Sequence, residues 1–401
     1  MWEKISQIWK IKDLRQSIIF VLAMLVIFRL AAHIPVPGVD VLALRKFFQS
    51  NQILGLMNIF SGGTMENFSV IMLGVAPYIT ASIIFQLLAM IIPSLEEMSK
   101  EGESGQRRIN QYTRWLAVPL AFLQSYGMIM LLKQSARGIV GEMDFFRLIT
   151  TMVTITAGTI FLMWIGELIS EKNVGNGISL LIFAGIVSAL PGKVQQMLVT
   201  FDSSQLVQII LFIIVAVITI VGVVFVTEGQ RNIPVSYARQ VRGNRVFGGQ
   251  TTHLPLRVNM AGVIPIIFAL SIMLFPQMVA TVLSAFDNAI LHSLSSFLNI
   301  VFANSWVYSI LYFALVFLFT YFYTAVTFDP DTIATNLQKN GAFIPGVRPG
   351  TATAAYIGSV TTRITLVGAV FLALVAVLPL AMQGITGNSS LAIGGTALLI
   401  V

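Results

Sequence analysis

Of the 401 residues, 56% are hydrophobic and only 10% charged, against about 25% charged in an ordinary soluble domain, so the chain is a polytopic membrane protein. The absence of cysteine excludes disulfide frameworks, thiol catalysis and Cys-metal sites. A net charge of +7 and a pI near 9.7 raise nucleic-acid binding as a reading, which the placement of the basic residues decides below.

Met1 to Arg15 spaces Trp2, Ile5, Ile8 and Ile11 at helical intervals among Lys4, Lys10 and Lys12. That is the pattern of an amphipathic helix at a membrane interface, rather than of a cleaved signal peptide. The first apolar run, 17–36, is broken at its outer end by Ile34-Pro35-Val36-Pro37-Gly38, where proline lacks the amide proton and glycine allows the turn. Arg29 lies a little before that break. It either snorkels to the interface or is a functional intramembrane charge.

Ile53 to Phe60 is only eight residues, roughly 12 Å of helix, too short for a hydrocarbon layer about 30 Å thick. Ser61-Gly62-Gly63 then frees the backbone to turn, and Val70 to Ile92 supplies an apolar run of 23 residues that is expected to span. Two readings of the short segment stay open: a half-helix tucked into a cavity above the spanning helix, or an amphipathic helix lying at the outer interface.

Further apolar runs occupy 115–132, 149–169, 178–198, 205–227, 258–280, 305–327, 363–382 and 389–401, making ten spans in all. Polar Pro93 to Arg114 is expected as a flexible link, and Glu171 to Gly177 as a tight turn with two glycines. Pro191 to Gln205 divides the spans into five and five, and the chain into halves 1–200 and 201–401. The loop Glu228 to Arg257 carries five arginines, and its stretch VSYARQVRGNRVFGG alternates like a hairpin about Arg242-Gly243-Asn244-Arg245. In the loop Phe328 to Thr362, GAFIPGVRPG forces a projecting turn that exposes Arg348. The thirteen residues of the last run would make about 20 Å of helix, so the sequence is expected to stop inside its tenth span.

If the N-terminus is cytoplasmic, inside segments hold 17 Lys and Arg and outside segments 6, with Arg29 in the first span. The positive-inside rule then places both termini in the cytoplasm. It also accounts for the basic pI without nucleic acid.

No G-x-x-x-x-G-K-[ST] loop and no H-E-x-x-H pair occur, and no intramembrane Asp or Glu pair is visible. Catalysis is therefore disfavoured, which leaves transport or conduction. A secondary transporter of small solutes would need midplane charged or ion-coordinating residues, and the sequence offers none. No cofactor is expected.

The second and seventh runs share G-V-x-P-x-I, as Gly74-Val75-Ala76-Pro77-Tyr78-Ile79 and Gly262-Val263-Ile264-Pro265-Ile266-Ile267. They run in opposite directions five helices apart, the layout of an inverted repeat whose broken helices line a pathway. Ile79 and Ile267 each lie nine residues into their runs and Ile400 reaches a similar depth, about 14 Å from the membrane surface. One reading is a dry belt of β-branched side chains that excludes ions by dewetting. The other is isoleucines facing lipid or neighbouring helices.

Several stretches together resemble the SecY family of protein-conducting channels: IPVPGVD at 34–40, MNIFSGG at 57–63, GVAPYITASIIFQLL at 74–88, KEGESGQRRINQYTR at 100–114 and GNGISLLIFAGIV at 175–187. They continue with THLPLRVNMAGVIP at 252–265, NLQKNGAFIPGVRPG at 336–350, RITLVGA at 363–369 and GGTALLIV at 394–401, covering all the spans in family order. The resemblance implies an all-α clamshell of two inverted five-helix halves around an hourglass pore. It places a pore ring on Val75, Ile79, Ile182, Ile267 and Ile400. It implies a plug within 53–69 around Asn58, Phe60, Ser61, Gly62 and Gly63, and a lateral gate with Gln86 and Asn259 as its polar pair.

The resemblance further implies docking of a ribosome or the SecA motor ATPase on loops 228–257 and 328–362, through Arg239, Arg242, Arg245 and Arg348. It implies the small subunits SecE and, in bacteria, usually SecG, with signal peptides, preproteins and membrane lipid as passengers and surroundings. The implied place is the bacterial cytoplasmic (inner) membrane.

Overall fold

A computed structural model describes residues 10–50, 58, 61–135, 144–199, 206–237, 240–242, 245–247, 251–283 and 289–386. The first long helix, α1 (Lys12–Ala31), has Asp13 in its first turn and Arg29 in its last, charges that suit the positive and negative ends of a helix dipole. After the proline break comes α2 (Val41–Ser50), a short helix that the apolar runs did not announce. Asp40 starts it, its carboxylate accepting from the amides of Leu42 and Ala43.

The expected 23-residue span from Val70 is corrected. Residues 61–75 form successive turns, and α3 (Ala76–Ile91) begins only at Ala76. Gly74, at φ +58°, interrupts the helical path, and Pro77 in the first turn needs no amide partner there. The turns are knitted together by bonds from Met72 N–H to Ser69 O, Gly74 N–H to Ile71 O and Ala76 N–H to Leu73 O. On one side they pair with the proline break, through Val36 N–H to Phe68 O at 2.8 Å and Val70 N–H to Ile34 O at 3.0 Å.

The polar link Pro93 to Arg114 is helical, not flexible. Helix α4 (Pro93–Lys100) turns away from α3 by 106°, and Gly102, at φ +75°, separates it from α5 (Glu103–Ser135). Ion pairs one turn apart, Glu96 with Lys100 and Glu103 with Arg107, suit helix in both. Helix α6 (Phe145–Ser170) is capped by Asp144, and the tight turn leads as expected into α7 (Gly177–Val199). Arg114 of α5 and Glu167 of α6 form an ion pair, so Glu167 has a partner within the protein.

The second half continues with α8 (Leu206–Glu228), α9 (Ile264–Leu283), α10 (Ala289–Ala303), α11 (Ser305–Thr327), α12 (Pro330–Lys339) and α13 (Thr351–Thr386). Among the described residues, five helices are by themselves long and apolar enough to cross a membrane, or six if α3 and α4 count as one bent span. The expected tenth run lies outside the described residues.

The reading as purely α is also corrected. Strand β1 (Gln230–Tyr237) pairs antiparallel with β4 (Thr251–Arg257), and its other edge pairs with β5 (Ala342–Phe343), giving the order β4-β1-β5. The expected hairpin is present as β2 (Gln240–Arg242) against β3 (Arg245–Phe247), with Arg242 opposite Arg245. Ile233 and Val235 alternate inward from β1 and share a core with Leu256, Ala342, Ile344 and Ile357. The two long loops are therefore one folded unit.

Three apolar clusters hold the helices. One joins α1, α6 and α7 to Ile71 and Val75, a second packs the turns and α2 against α5 and α6, and a third joins α9, α10, α11 and α13 to Ile83. Helix contacts are closest where glycine removes the side chain. A Cβ on Gly158 of α6 would lie 2.1 Å from the carbonyl oxygen of Val70, whereas one on Gly192 of α7 would meet nothing within 4 Å. Gly158→Ala should therefore destabilise by about 1–3 kcal/mol through overpacking, while Gly192→Ala should be neutral or slightly stabilising. Thermal unfolding of both variants in detergent measures the difference; equal melting temperatures would contradict this packing.

Candidate functional site

Both copies of G-V-x-P-x-I build the same piece of structure. Gly74 and Gly262 take left-handed φ values of +58° and +63°, which an L side chain adopts only at a cost. Two residues later a helix begins, α3 at Ala76 and α9 at Ile264, with proline as its second residue. Isoleucine follows in the first turn: Ile79 N–H donates to Val75 O at 3.1 Å and Ile267 N–H to Val263 O at 3.4 Å. The count of nine residues into each span is thus corrected, because glycine cuts each run and makes these isoleucines the fourth residue of their helices.

Val75, Ile79, Ile182 and Ile267 line a single cavity of about 60 Å³. They reach it from the start of α3, from α7 and from α9. Ser61 and Met65 of the turn segment border it too, with Leu73, Ala76, Leu270 and Ser271. Its two hydroxyls are committed elsewhere: Ser61 Oγ donates to Asn58 O at 2.9 Å, and Ser271 Oγ to Ile267 O at 3.0 Å. The wall therefore offers little to hold water. Ile79 also packs against two of the three clusters, the one around α7 and the one around α9.

The turn segment beside the cavity is tied together internally. Asn58 Nδ2 donates to Glu66 Oε2 at 2.9 Å and Asn58 Oδ1 accepts from Glu66 N–H at 3.0 Å, while Gly63 N–H donates to Asn58 O at 2.7 Å. Gly62 and Gly63 both have left-handed φ, +74° and +78°. Asn58 is helical and buried; the rest of Ile53 to Phe60, Phe60 included, lies outside the described residues. Arg29, open between two readings in the sequence, turns toward the protein and donates from Nη1 to Gly62 O at 2.8 Å.

Gln86 and Asn259 are both half-buried, and each bonds within its own element. Gln86 Nε2 donates to Ser82 Oγ at 3.1 Å, and Asn259 Oδ1 accepts from Gly262 N–H at 2.9 Å. Asn259 thereby holds the turn that starts α9. Helix α9 packs against both α3 and α5. Arg348 is exposed on the turn between β5 and α13, with its carbonyl accepting from Thr353 Oγ1. Arg242 and Arg245 face each other in register across the hairpin. Arg239 and Ile400 lie outside the described residues. Met65 and Leu270 were not picked out from sequence; Leu270, three residues after Ile267, could have been found by extending the helical face.

A family model described as SecY matches residues 69–401. The chain is 45% identical to the protein translocase subunit SecY of Corynebacterium glutamicum, covering 99% of this chain and 94% of that one. The chain belongs to the SecY family. It is also 43% identical to the protein translocase subunit SecY of Escherichia coli K12, over 97% of this chain and 88% of the relative. Among solved structures it is similar to one described as a protein-conducting channel, with TM-score 0.62 and 18% identity over 95% of this chain and 88% of that one. A structure of Sec61 in the canine ribosome-channel complex matches with TM-score 0.58 and 18% identity, over 95% of this chain and 87% of the other. A third, of a SecY protein whose plug domain is described as stabilising the closed state and maintaining a membrane seal, matches with TM-score 0.61 and 20% identity over 95% and 87%. SecY-family proteins are channels and not enzymes.

Nothing lies within 4 Å of a Cβ placed on Gly262, so a substitution there isolates the backbone cost. Gly262→Ala should lower stability by about 1–2 kcal/mol from the left-handed φ alone. Reversible unfolding in detergent reads this; unchanged stability would mean that the turn does not keep its conformation.

Proposed function

We propose that the chain is the channel-forming subunit of a protein translocase, passing unfolded polypeptides across a membrane and releasing hydrophobic segments sideways into lipid. The observation that carries this reading is the mainly apolar cavity where four aliphatic side chains, from α3 and the turn before it, α7 and α9, meet. A pore that accepts many sequences cannot rely on specific hydrogen bonds, and a collar of pliable apolar side chains closes by excluding water rather than by recognising a passenger.

In this reading Val75, Ile79, Ile182, Ile267 and Ile400 form the pore ring of an hourglass between two inverted halves of five spans, 1–200 and 201–401. Asn58, Phe60, Ser61, Gly62 and Gly63 belong to a plug. The lateral gate lies between α3 and α5 on one side and α9 and α11 on the other, with Gln86 and Asn259 as its polar groups. The folded loop unit with Arg239, Arg242, Arg245 and Arg348 receives a ribosome or the SecA motor ATPase, and SecE and SecG are the membrane partners. The setting is the bacterial cytoplasmic membrane with both termini inside, as the distribution of Lys and Arg supports.

Reconstitution into lipid vesicles tests the function: a preprotein should enter only with motor and ATP, whereas solute uptake on an ion gradient without preprotein movement would favour a transporter. In the naturally cysteine-free background, single cysteines replacing Ile79, Ile182 and Ile267 should all cross-link to one arrested passenger, and labelling by lipid alone would reject the collar. Deleting residues 58–63 should raise resting ion leakage. An unchanged leak would remove the plug.

A further inference from the structure

Among the described residues of 58–66, Gly62 is where the segment meets both α1 and α7. On one side the guanidinium of Arg29, in the last turn of α1, donates from Nη1 to Gly62 O at 2.8 Å. On the other, the backbone of Gly62 lies directly on that of Gly185 in α7. A Cβ on Gly62 would stand 2.7 Å from Gly185 Cα, and a Cβ on Gly185 would stand 2.8 Å from Gly62 Cα. Phe28, the neighbour of Arg29, closes the same corner, 3.4 Å from the Gly62 Cβ position. Gly185 is one helical turn from Ile182, which lines the cavity. The carboxylate of Glu66, fixed by Asn58, adds an electrostatic attraction for Arg29 from within the segment itself.

We infer that Arg29 and Gly185 are positioning residues for the resting channel, a two-point clamp on Gly62 that keeps the plug seated beneath the constriction. The inference rests on the reading of 58–66 as a plug. An arginine near the end of an apolar span would ordinarily extend to the headgroups; this one is turned inward and bonded to a carbonyl that must leave if the segment moves. Displacing the segment therefore breaks a charge-assisted hydrogen bond and a glycine-on-glycine contact together. An Arg29 freed by that movement is left with a charge to satisfy, which favours return of the segment.

Resting ion leakage of the full chain with its membrane partners, in phosphatidylethanolamine and phosphatidylglycerol vesicles, tests this. Arg29→Gln should raise the leak about tenfold or more, the shift expected from losing a hydrogen bond to a charged group. Arg29→Lys, which keeps the charge and a donor, should restore most of the seal. Gly185→Ala should raise the leak by pushing Gly62 away, without altering any charge. Neither Arg29→Gln nor Gly185→Ala should add to the leak when residues 58–63 are deleted, because the clamp then has nothing to hold. If the deletion leaks while both point variants stay at the wild-type level, or if either variant leaks further on top of the deletion, the clamp is wrong and the plug reading stands. If the deletion itself does not leak, the plug reading fails and the clamp with it.

Discussion

Backbone amides and carbonyls cannot be left unpaired at membrane depth, and the architecture around the cavity follows from meeting that requirement for one irregular stretch. Residues 61–75 are neither helix nor strand, so in contact with lipid each unpaired group would cost several kcal/mol. The chain meets the demand with consecutive turns, with two bonds to the proline break at 34–36, and with Thr64 Oγ1 reaching Met72 O at 3.2 Å. It then surrounds the stretch with α1, α5, α6 and α7, so that Phe68, Ile71 and Met72 are fully enclosed.

Enclosing such a stretch in a bilayer draws little on the hydrophobic effect, since lipid tails are as apolar as the core; close packing and interhelical contacts have to supply the stability. This explains why glycine recurs at the contacts. Gly158 admits Val70, Gly185 admits Gly62, and Gly177 lies against the carbonyl of Gly166 to close the turn between α6 and α7. Each lets backbone approach backbone where any side chain would hold them apart. Gly368 of α13 does the same at Val258, just before the turn that Asn259 caps.

The cavity gains its character from these enclosed breaks. Because α3 and α9 both start two residues after a left-handed glycine, their first turns, rather than their middles, deliver Ile79 and Ile267 to the cavity. A helix start can be rotated by changing a few dihedral angles, whereas a mid-helix position moves only with the whole helix. Ile79 touches the cluster on each side, so a shift of α9 relative to α3 changes the cavity directly. Asn259 accepts from Gly262 N–H on the turn that sets α9, which links a polar group at the seam to the position of Ile267 eight residues on.

The helix-forming runs, the tight turn at 171–177, the hairpin at 240–247 and the repeated hexapeptide were all legible in the sequence, because each depends on local periodicity or on glycine and proline chemistry. The family resemblance added Ile182, which no periodicity marks. Five features were not legible: the short helix α2, the loss of helix over 70–75, the helical link at 93–114, the joining of two loops through β1 and β5, and the inward turn of Arg29. A run of apolar residues has the same composition whether it is a helix facing lipid or a set of turns wrapped in protein, and only the neighbours that pair its backbone decide between them. Likewise an arginine near a span end carries the same letters whether it reaches water or a carbonyl 33 residues away; the partner exists only once the chain has folded back on itself.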